Sequence, residues 1–138
     1  MKDFGWPFEN FKPWEFDCGC GCGFNIVDLG LVTTLQRLRD ATGRRIDVTS
    51  GCRCAAHNLA VGGVPERAGR PGSGSQHLYG RAADIVVEGL SSFEVEALLK
   101  SLYIAYKIYA GYVYRISATA VHVDGRTPES PTVRRWRV

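Results

Sequence analysis

The sequence predicts an α+β protein in which a small, mainly antiparallel sheet packs with a few helices. Two stretches have helical periodicity, and several short stretches have the alternation of strands. These elements do not follow the regular strand–helix–strand alternation of parallel α/β proteins. With 138 residues, 45% of them hydrophobic and 22% charged, the chain has the size and composition of a globular domain. We therefore expect one domain over 1–138.

The first third of the chain predicts an irregular arm, a helix and a strand. Residues 1–16 are dense in aromatic side chains and predict an N-terminal arm that covers the rim of the core. Asn25 or Asp28 can cap a helix that runs to about Ala41, since valine and leucine recur at helical spacing behind them. Residues 45–49 then alternate as a short strand.

The middle of the chain predicts a loop, a buried strand and a second helix. Residues 62–74 are rich in glycine, proline and charge, which is typical of a loop. The apolar run over 82–87 predicts a buried strand. Ser91 can cap a helix from Ser92 to about Leu102, with apolar residues at helical spacing.

The last third predicts strands and a tail. Residues 106–109 and 112–116 predict a hairpin around Ala110-Gly111, and 121–124 predict the last strand. Residues 127–138, with two prolines, predict a C-terminal tail.

Two histidines and an aspartate indicate a metal site on a face of the sheet. His77 is expected at the end of a loop and Asp84 at the start of a strand, with Gly80 free to take the strained backbone of the turn between them. The alternation of the last strand puts His122 and Asp124 on one face. Two imidazoles and a carboxylate suit a catalytic zinc site, in which water fills the fourth position. We predict one zinc ion held by His77, Asp84 and His122.

The same set of ligands has a second interpretation. Two histidines and one carboxylate also hold the non-haem iron(II) of oxygenases. The oxygenase motif usually sets its first histidine and carboxylate closer together, so zinc is favoured.

The five cysteines leave three interpretations open. Cys18, Cys20 and Cys22 form C-x-C-x-C, and Cys52 and Cys54 form C-x-C. An odd count argues against a purely disulfide framework. The sulfurs could bind a second, structural metal, although the spacing differs from the usual C-x2-C. A disulfide could tie the two segments together, or the thiols could be buried and inert. No cysteine is assigned to catalysis.

The site motif resembles a known family. Ser-x-His-x6-Asp over 75–84, followed by a distant His-Val-Asp over 122–124, is similar to the zinc D-alanyl-D-alanine carboxypeptidases and the related phage L-alanyl-D-glutamate endopeptidases. Residues 50–58 resemble the Ser-Gly-Tyr-Arg segment of these enzymes. Residues 60–63 and 15–23 are typical of a small, cysteine-containing branch. The resemblance covers roughly Phe16 to Asp124.

This resemblance implies a zinc peptidase that hydrolyses peptidoglycan stem peptides at a bond involving a D-amino acid, by metal-activated water. Arg53, in the Ser-Gly-x-Arg segment, is the residue expected to pair with the oxyanion or with a substrate carboxylate. Ser75 is expected to orient a ligand or the substrate.

The general base is where the chain departs from the family. Its peptidases usually carry a carboxylate or histidine two or three positions before the last ligand, where this chain has Ala120 and Thr119. Asp124 is the nearest replacement, or else it orients His122. His57 is a further candidate base or a structural residue. The gap raises an alternative function, a catalytically weak or inactive zinc-bearing module that binds cell wall.

Charge and hydropathy bound the partners and the location. The net charge of +3 is mild, and the basic tail over 134–137 comes without a nucleic-acid-binding motif, so we expect no nucleic acid. No apolar run is long enough to span a membrane. No apolar segment follows the first charges, so we expect cytoplasmic synthesis without a signal peptide. Action on the wall would then require release by phage lysis, delivery on a virion or a separate export route. We expect a monomer.

Overall fold

A single four-stranded sheet organises the protein, and the computed structural model describes residues 5–126. The strands are β1 (Ile46–Ser50), β2 (Ala82–Val87), β3 (Tyr112–Arg115) and β4 (Ala120–Asp124). The α-helices are α1 (Leu29–Thr42), α2 (Ala55–Ala60) and α3 (Ser92–Tyr106), and two 3-10 helices cover Pro13–Phe16 and Gln76–Tyr79. The α+β prediction is confirmed. None of the helices in this described part is both long and apolar enough to cross a bilayer.

The sheet has the order β1-β2-β4-β3, and every neighbouring pair is antiparallel. In this register Asp84 of β2 lies opposite His122 of β4, and Tyr114 of β3 lies opposite His122 on the other side. The order therefore brings residues that are distant in sequence side by side at the centre of the sheet.

The two faces of the sheet differ in composition because strand side chains alternate. Ile85, Val113 and Val121 are buried in one hydrophobic core with leucines of α1 and with Val95 and Leu99 of α3. The opposite face carries Asp84 and His122, one residue out of step with the core positions. The apolar core thus lies on one face of the sheet, and these polar residues lie on the other.

Both predicted helices form, and capping residues recognisable in the sequence mark where they begin. Asp28 caps α1 by accepting a hydrogen bond from the N–H of Gly30, and Gly43 ends the helix with φ 65°. Ser91 and Glu94 form a capping box at the start of α3. This helix ends at Tyr106 and not near Leu102, and Lys107 stops it with φ 53°.

The predicted hairpin between 106–109 and 112–116 is wrong. Tyr106 belongs to α3, and the following residues form a buried connection in which Ile108 and Ala110 join the core. The hairpin is formed instead by β3 and β4, around the turn at 116–119. Burial of Ile108 and Ala110 outweighed the local alternation of that stretch.

The aromatic segment before α1 contributes to the core at two positions. Phe11 and Phe16 are buried there, whereas Trp14 is 59% exposed. Residues 1–4 of the predicted arm and the predicted tail over 127–138 lie outside the described residues.

Candidate metal centre

The structure brings His77, Asp84 and His122 together at the sheet face opposite the core. His77 Nε2 lies 3.2 Å from Asp84 Oδ1, and His122 Nδ1 lies 3.0 Å from the same oxygen. One donor atom from each residue falls within 4.8 Å of the other two, so the three side chains can hold one metal ion. Both histidines are buried, and Asp84 is partly accessible.

Local backbone chemistry places His77. The hydroxyl of Ser75 accepts a hydrogen bond from the N–H of His77 and caps the 3-10 helix Gln76–Tyr79. Gly80 then ends this helix with φ 66°, a conformation that side chains disfavour. A Cβ at Gly80 would lie 2.5 Å from the carbonyl oxygen of Ile26, so the turn also needs glycine for its close packing.

Each imidazole has a second partner that fixes its orientation. The Nδ1–H of His77 donates to the carbonyl oxygen of Gly51 at 2.7 Å. The Nε2–H of His122 donates to Asp124 Oδ2 at 2.7 Å. These bonds turn Nε2 of His77 and Nδ1 of His122 toward Asp84 as unprotonated donors in the metal-bound form. Two oriented imidazoles and a carboxylate are the donor set of a catalytic zinc site, so the residues fit this metal.

Hydrogen bonds control the charge of this cluster. Burial raises the pKa of Asp84, but hydrogen bonds from His122 and His77 outweigh it and hold that pKa well below its usual range. Burial lowers the pKa of His122, but the bonds to Asp124 and Asp84 raise it overall. The two carboxylates are therefore ionised around His122, and Asp84 is in the charge state that a metal ligand requires.

Arg53 stands at the edge of the cluster. Its guanidinium lies 3.5 Å from Asp84 Oδ2 and also contacts Ser50 Oγ at 3.3 Å and Asn58 Oδ1 at 3.4 Å. Its backbone N–H donates to the carbonyl oxygen of His77 at 2.9 Å, which ties the arginine segment to the histidine segment. The structure thus places the predicted cation beside the predicted metal ligands.

A cleft of about 420 Å³ opens beside Arg53. Pro65 and Glu66 of the glycine-rich loop form one wall, and Leu78 and Tyr79 of the 3-10 helix form another. The loop over 62–74 therefore borders the site. The cleft is large enough for a few residues of a peptide and has both apolar and charged walls.

Asp124 is placed behind His122. Its side chain is fully buried and accepts hydrogen bonds from His122 and from Arg126, whose Nη2 lies 2.8 Å from Oδ2. Burial raises its pKa, but the bonds from His122 and Arg126 lower it overall. His57, the other candidate base, lies in α2. Its Nε2 is close to Gly19, because a Cβ added at Gly19 would lie 3.4 Å from it.

Sequence reasoning missed the aromatic wall of the site. Tyr114 stacks on the His122 ring with centroids 4.5 Å apart and planes 15° from parallel. Tyr112 lies on the same face, with the guanidinium of Arg126 4.6 Å from its ring centre. The alternation of 112–115 contains the signal that both tyrosines share a face, but the wrong hairpin partner concealed their contact with His122.

Comparison with known proteins adds an independent finding to this geometry. A protein-family model described as Peptidase M15 matches residues 9–124, a span that includes every side chain of the cluster. Neither a curated protein nor a solved structure matches the chain. The matched span covers most of the 138 residues. The chain therefore belongs to the Peptidase M15 family of zinc-dependent metallopeptidases.

Proposed function

We propose that the protein hydrolyses peptidoglycan stem peptides at a bond involving a D-amino acid. The observation that carries this proposal is the convergence of His77, Asp84 and His122 in a chain of this peptidase family. The second ring nitrogen of each histidine is held by a hydrogen bond, to Gly51 or to Asp124. The protein would act as a monomer and reach the wall by phage lysis or on a virion.

In this proposal the three ligands hold the zinc ion, and neighbouring groups hold the two histidines in place. A zinc ion held by them would acidify a water molecule and polarise the carbonyl group of the scissile bond. Gly51 would hold the ring of His77 and Asp124 would hold that of His122. Ser75 would act on the site by capping the helix that carries His77, since its hydroxyl already accepts that hydrogen bond.

Arg53 is the candidate for charge stabilisation. It lies between the ligand Asp84 and the cleft, so its guanidinium can reach a substrate without leaving the site. Its side-chain contacts are 3.3 to 3.5 Å long, which leaves donors available for a stronger partner. The oxyanion of the reaction or a carboxylate of the stem peptide would provide that partner.

The lack of a proton acceptor at positions 119 and 120 favours a second candidate function. Positions 119 and 120 hold Thr119 and Ala120, which cannot accept a proton from water at neutral pH, and Asp124 is buried and bonded to Arg126. A zinc-bearing module that binds cell wall without cutting it would have this combination of intact ligands and missing base. The same experiment separates the two functions.

The test is digestion of purified peptidoglycan by the zinc-loaded protein, with released peptides identified by mass spectrometry. We expect new peptide termini that disappear with a chelator and return with zinc. His122→Ala, which removes a ligand, should release none, whereas Asp47→Asn, an exposed position on β1, should match the unaltered protein. Zinc binding and wall binding without cleavage, across several wall types, would replace the peptidase with the binding module.

A further inference from the structure

Four of the five cysteines converge at the start of α2. Cys18, Cys20 and Cys22 lie in the loop that follows the first 3-10 helix, and Cys54 is the N-cap residue of α2. Their four sulfurs all lie within 4.8 Å of one another. The C-x-C-x-C loop and the C-x-C loop, which are distant in sequence, therefore form one cluster.

The separations of the sulfurs match a tetrahedral metal site. Cys18 Sγ lies 3.5 Å from Cys20 Sγ, and Cys20 Sγ lies 3.8 Å from Cys54 Sγ. Four sulfurs at about 2.3 Å from a zinc ion lie about 3.8 Å from each other. The sulfurs are thus spaced as ligands around one ion, and no disulfide links them.

Backbone N–H groups point at the same sulfurs. The N–H of Cys54 donates to Cys18 Sγ at 3.3 Å, that of His57 to Cys54 Sγ at 3.3 Å, and that of Phe24 to Cys22 Sγ at 3.5 Å. Such donors stabilise the negative charge of thiolates, which is the form that binds a metal.

Two glycines explain how cysteines at C-x-C spacing can converge on one ion. Gly21 and Gly23 have φ of 79° and 87°, in the region that only glycine occupies readily. These two residues turn the loop tightly enough for Cys18, Cys20 and Cys22 to face one point. Cys20 and Cys22 are exposed, so the thiols are not the buried, inert set of the third interpretation.

We propose that Cys18, Cys20, Cys22 and Cys54 bind a second metal ion, in a structural site that takes a thiophilic divalent cation such as Zn²⁺. Four thiolates complete a tetrahedral shell and leave no position for water, so this site holds the chain together and does not catalyse.

The position of this cluster suggests what it supports. Cys54 directly follows Arg53, and the N–H of Cys52 donates to the carbonyl oxygen of Phe16 at 3.1 Å. Gly51, which holds the ring of His77, packs so closely on the Phe16 backbone that a Cβ would lie 2.5 Å from its oxygen. A metal that ties the cysteine loop to α2 therefore secures the segment that carries Arg53 and orients His77.

The experiment measures metal content in a background without the first site. The full chain carrying His77→Ala and His122→Ala is purified under reducing conditions without chelator, and zinc is counted by mass spectrometry of the elements. We expect one zinc per chain. Adding Cys20→Ser or Cys22→Ser, both at exposed positions, should lower this content at least tenfold. Cys52→Ser is the matched control and should keep one zinc, since its sulfur contacts the Phe16 and Phe24 carbonyl oxygens instead.

A second measurement covers the case in which these variants do not fold. The otherwise unaltered protein is loaded with Co²⁺, whose bonds to thiolates give intense charge-transfer absorption in the near ultraviolet. We expect this absorption, together with protection of the exposed Cys20 and Cys22 from alkylation until a chelator is added. Free reaction of Cys20 and Cys22 in the metal-loaded protein, disulfides between these cysteines in the intact protein, or cobalt spectra without charge transfer would each overturn the proposal.

Discussion

The Asp124 carboxylate is enclosed by its neighbours, and this burial bears on its role. It is fully buried, accepts the Nε2–H of His122 and is paired with Arg126, so neither water nor substrate reaches it in this arrangement. A general base must touch the proton that it removes. Its geometry therefore favours orienting His122 over accepting a proton.

Replacing Asp124 with asparagine tests this role. Asp124→Asn removes the charge behind His122, so we expect the affinity for zinc to fall about 10- to 100-fold, as for other partners of metal-bound histidines. Competition with a chromogenic chelator measures this. Turnover at saturating zinc should change far less than the affinity. Normal zinc affinity with abolished turnover would show instead that Asp124 is the base.

Tyr114 offers a second test beside His122. Tyr114→Phe keeps the ring that stacks on His122 and should keep zinc affinity, whereas Tyr114→Ala removes the ring and should weaken zinc binding several-fold. The same chelator competition compares the two variants. Equal affinities in both would show that the stack does not position the histidine.

The short 3-10 helix Gln76–Tyr79 is the element that carries the first ligand. Ser75 begins it, Gly80 ends it, and the carbonyl oxygen of Gly80 accepts the N–H of Asp28 at 2.8 Å. The turn is thereby packed against the segment that leads into α1. Its conformation and its packing both depend on the absence of a side chain at Gly80.

A comparison of Gly43 with Gly80 separates the cost of backbone strain from the cost of disturbed packing. Gly43 has φ 65° with nothing near its Cβ position, whereas Gly80 has φ 66° and a Cβ there would meet the Ile26 backbone. We expect Gly43→Ala to cost about 1 to 2 kcal/mol of unfolding free energy from strain alone. Gly80→Ala should cost about 3 kcal/mol or more and also lower zinc affinity, because it moves His77. Urea unfolding measures both, and equal costs would contradict the packing at Gly80.

The elements also show what sequence patterns can and cannot predict. Asp28, Ser91 and Gly80 were recognisable because caps and turns are local chemistry. The alternation around His122 predicted its face, since strand periodicity is local as well. The partner of β3 was not predictable in this way, because residues 106–109 alternate like a strand but complete a helix and enter the core.

The cysteines illustrate the same limit over a longer distance. The spacing of Cys18, Cys20 and Cys22 argued against a metal site, because two ingredients were not visible in the sequence. These are the positive φ angles of Gly21 and Gly23 and the approach of Cys54 from a distant loop. Tertiary packing decides both.

In the molecule as a whole, one face of the sheet packs on the core and the other carries the proposed zinc ligands of the sheet, Asp84 and His122. The segment over 51–54 contacts both proposed metal sites. Ligands that bind only the folded state stabilise it, by about 3 to 4 kcal/mol at 100 to 1,000 times the dissociation constant. Metal and fold should therefore be coupled.

Removing metal tests this coupling. We expect a chelator to lower the unfolding free energy of the unaltered protein by a few kcal/mol, which urea unfolding detects, with recovery on adding zinc. A variant lacking both sites, with His77→Ala, His122→Ala and Cys20→Ser, should be insensitive to chelator. An unaltered protein whose stability is independent of metal would contradict the structural role of the ions.

The proposed function depends on a zinc ion bound between His77, Asp84 and His122. Diffraction from zinc-loaded crystals, recorded on both sides of the zinc absorption edge, tests it most directly. We expect an anomalous peak in contact with His77 Nε2, His122 Nδ1 and a carboxylate oxygen of Asp84. Full zinc loading with no peak among these three side chains would contradict it.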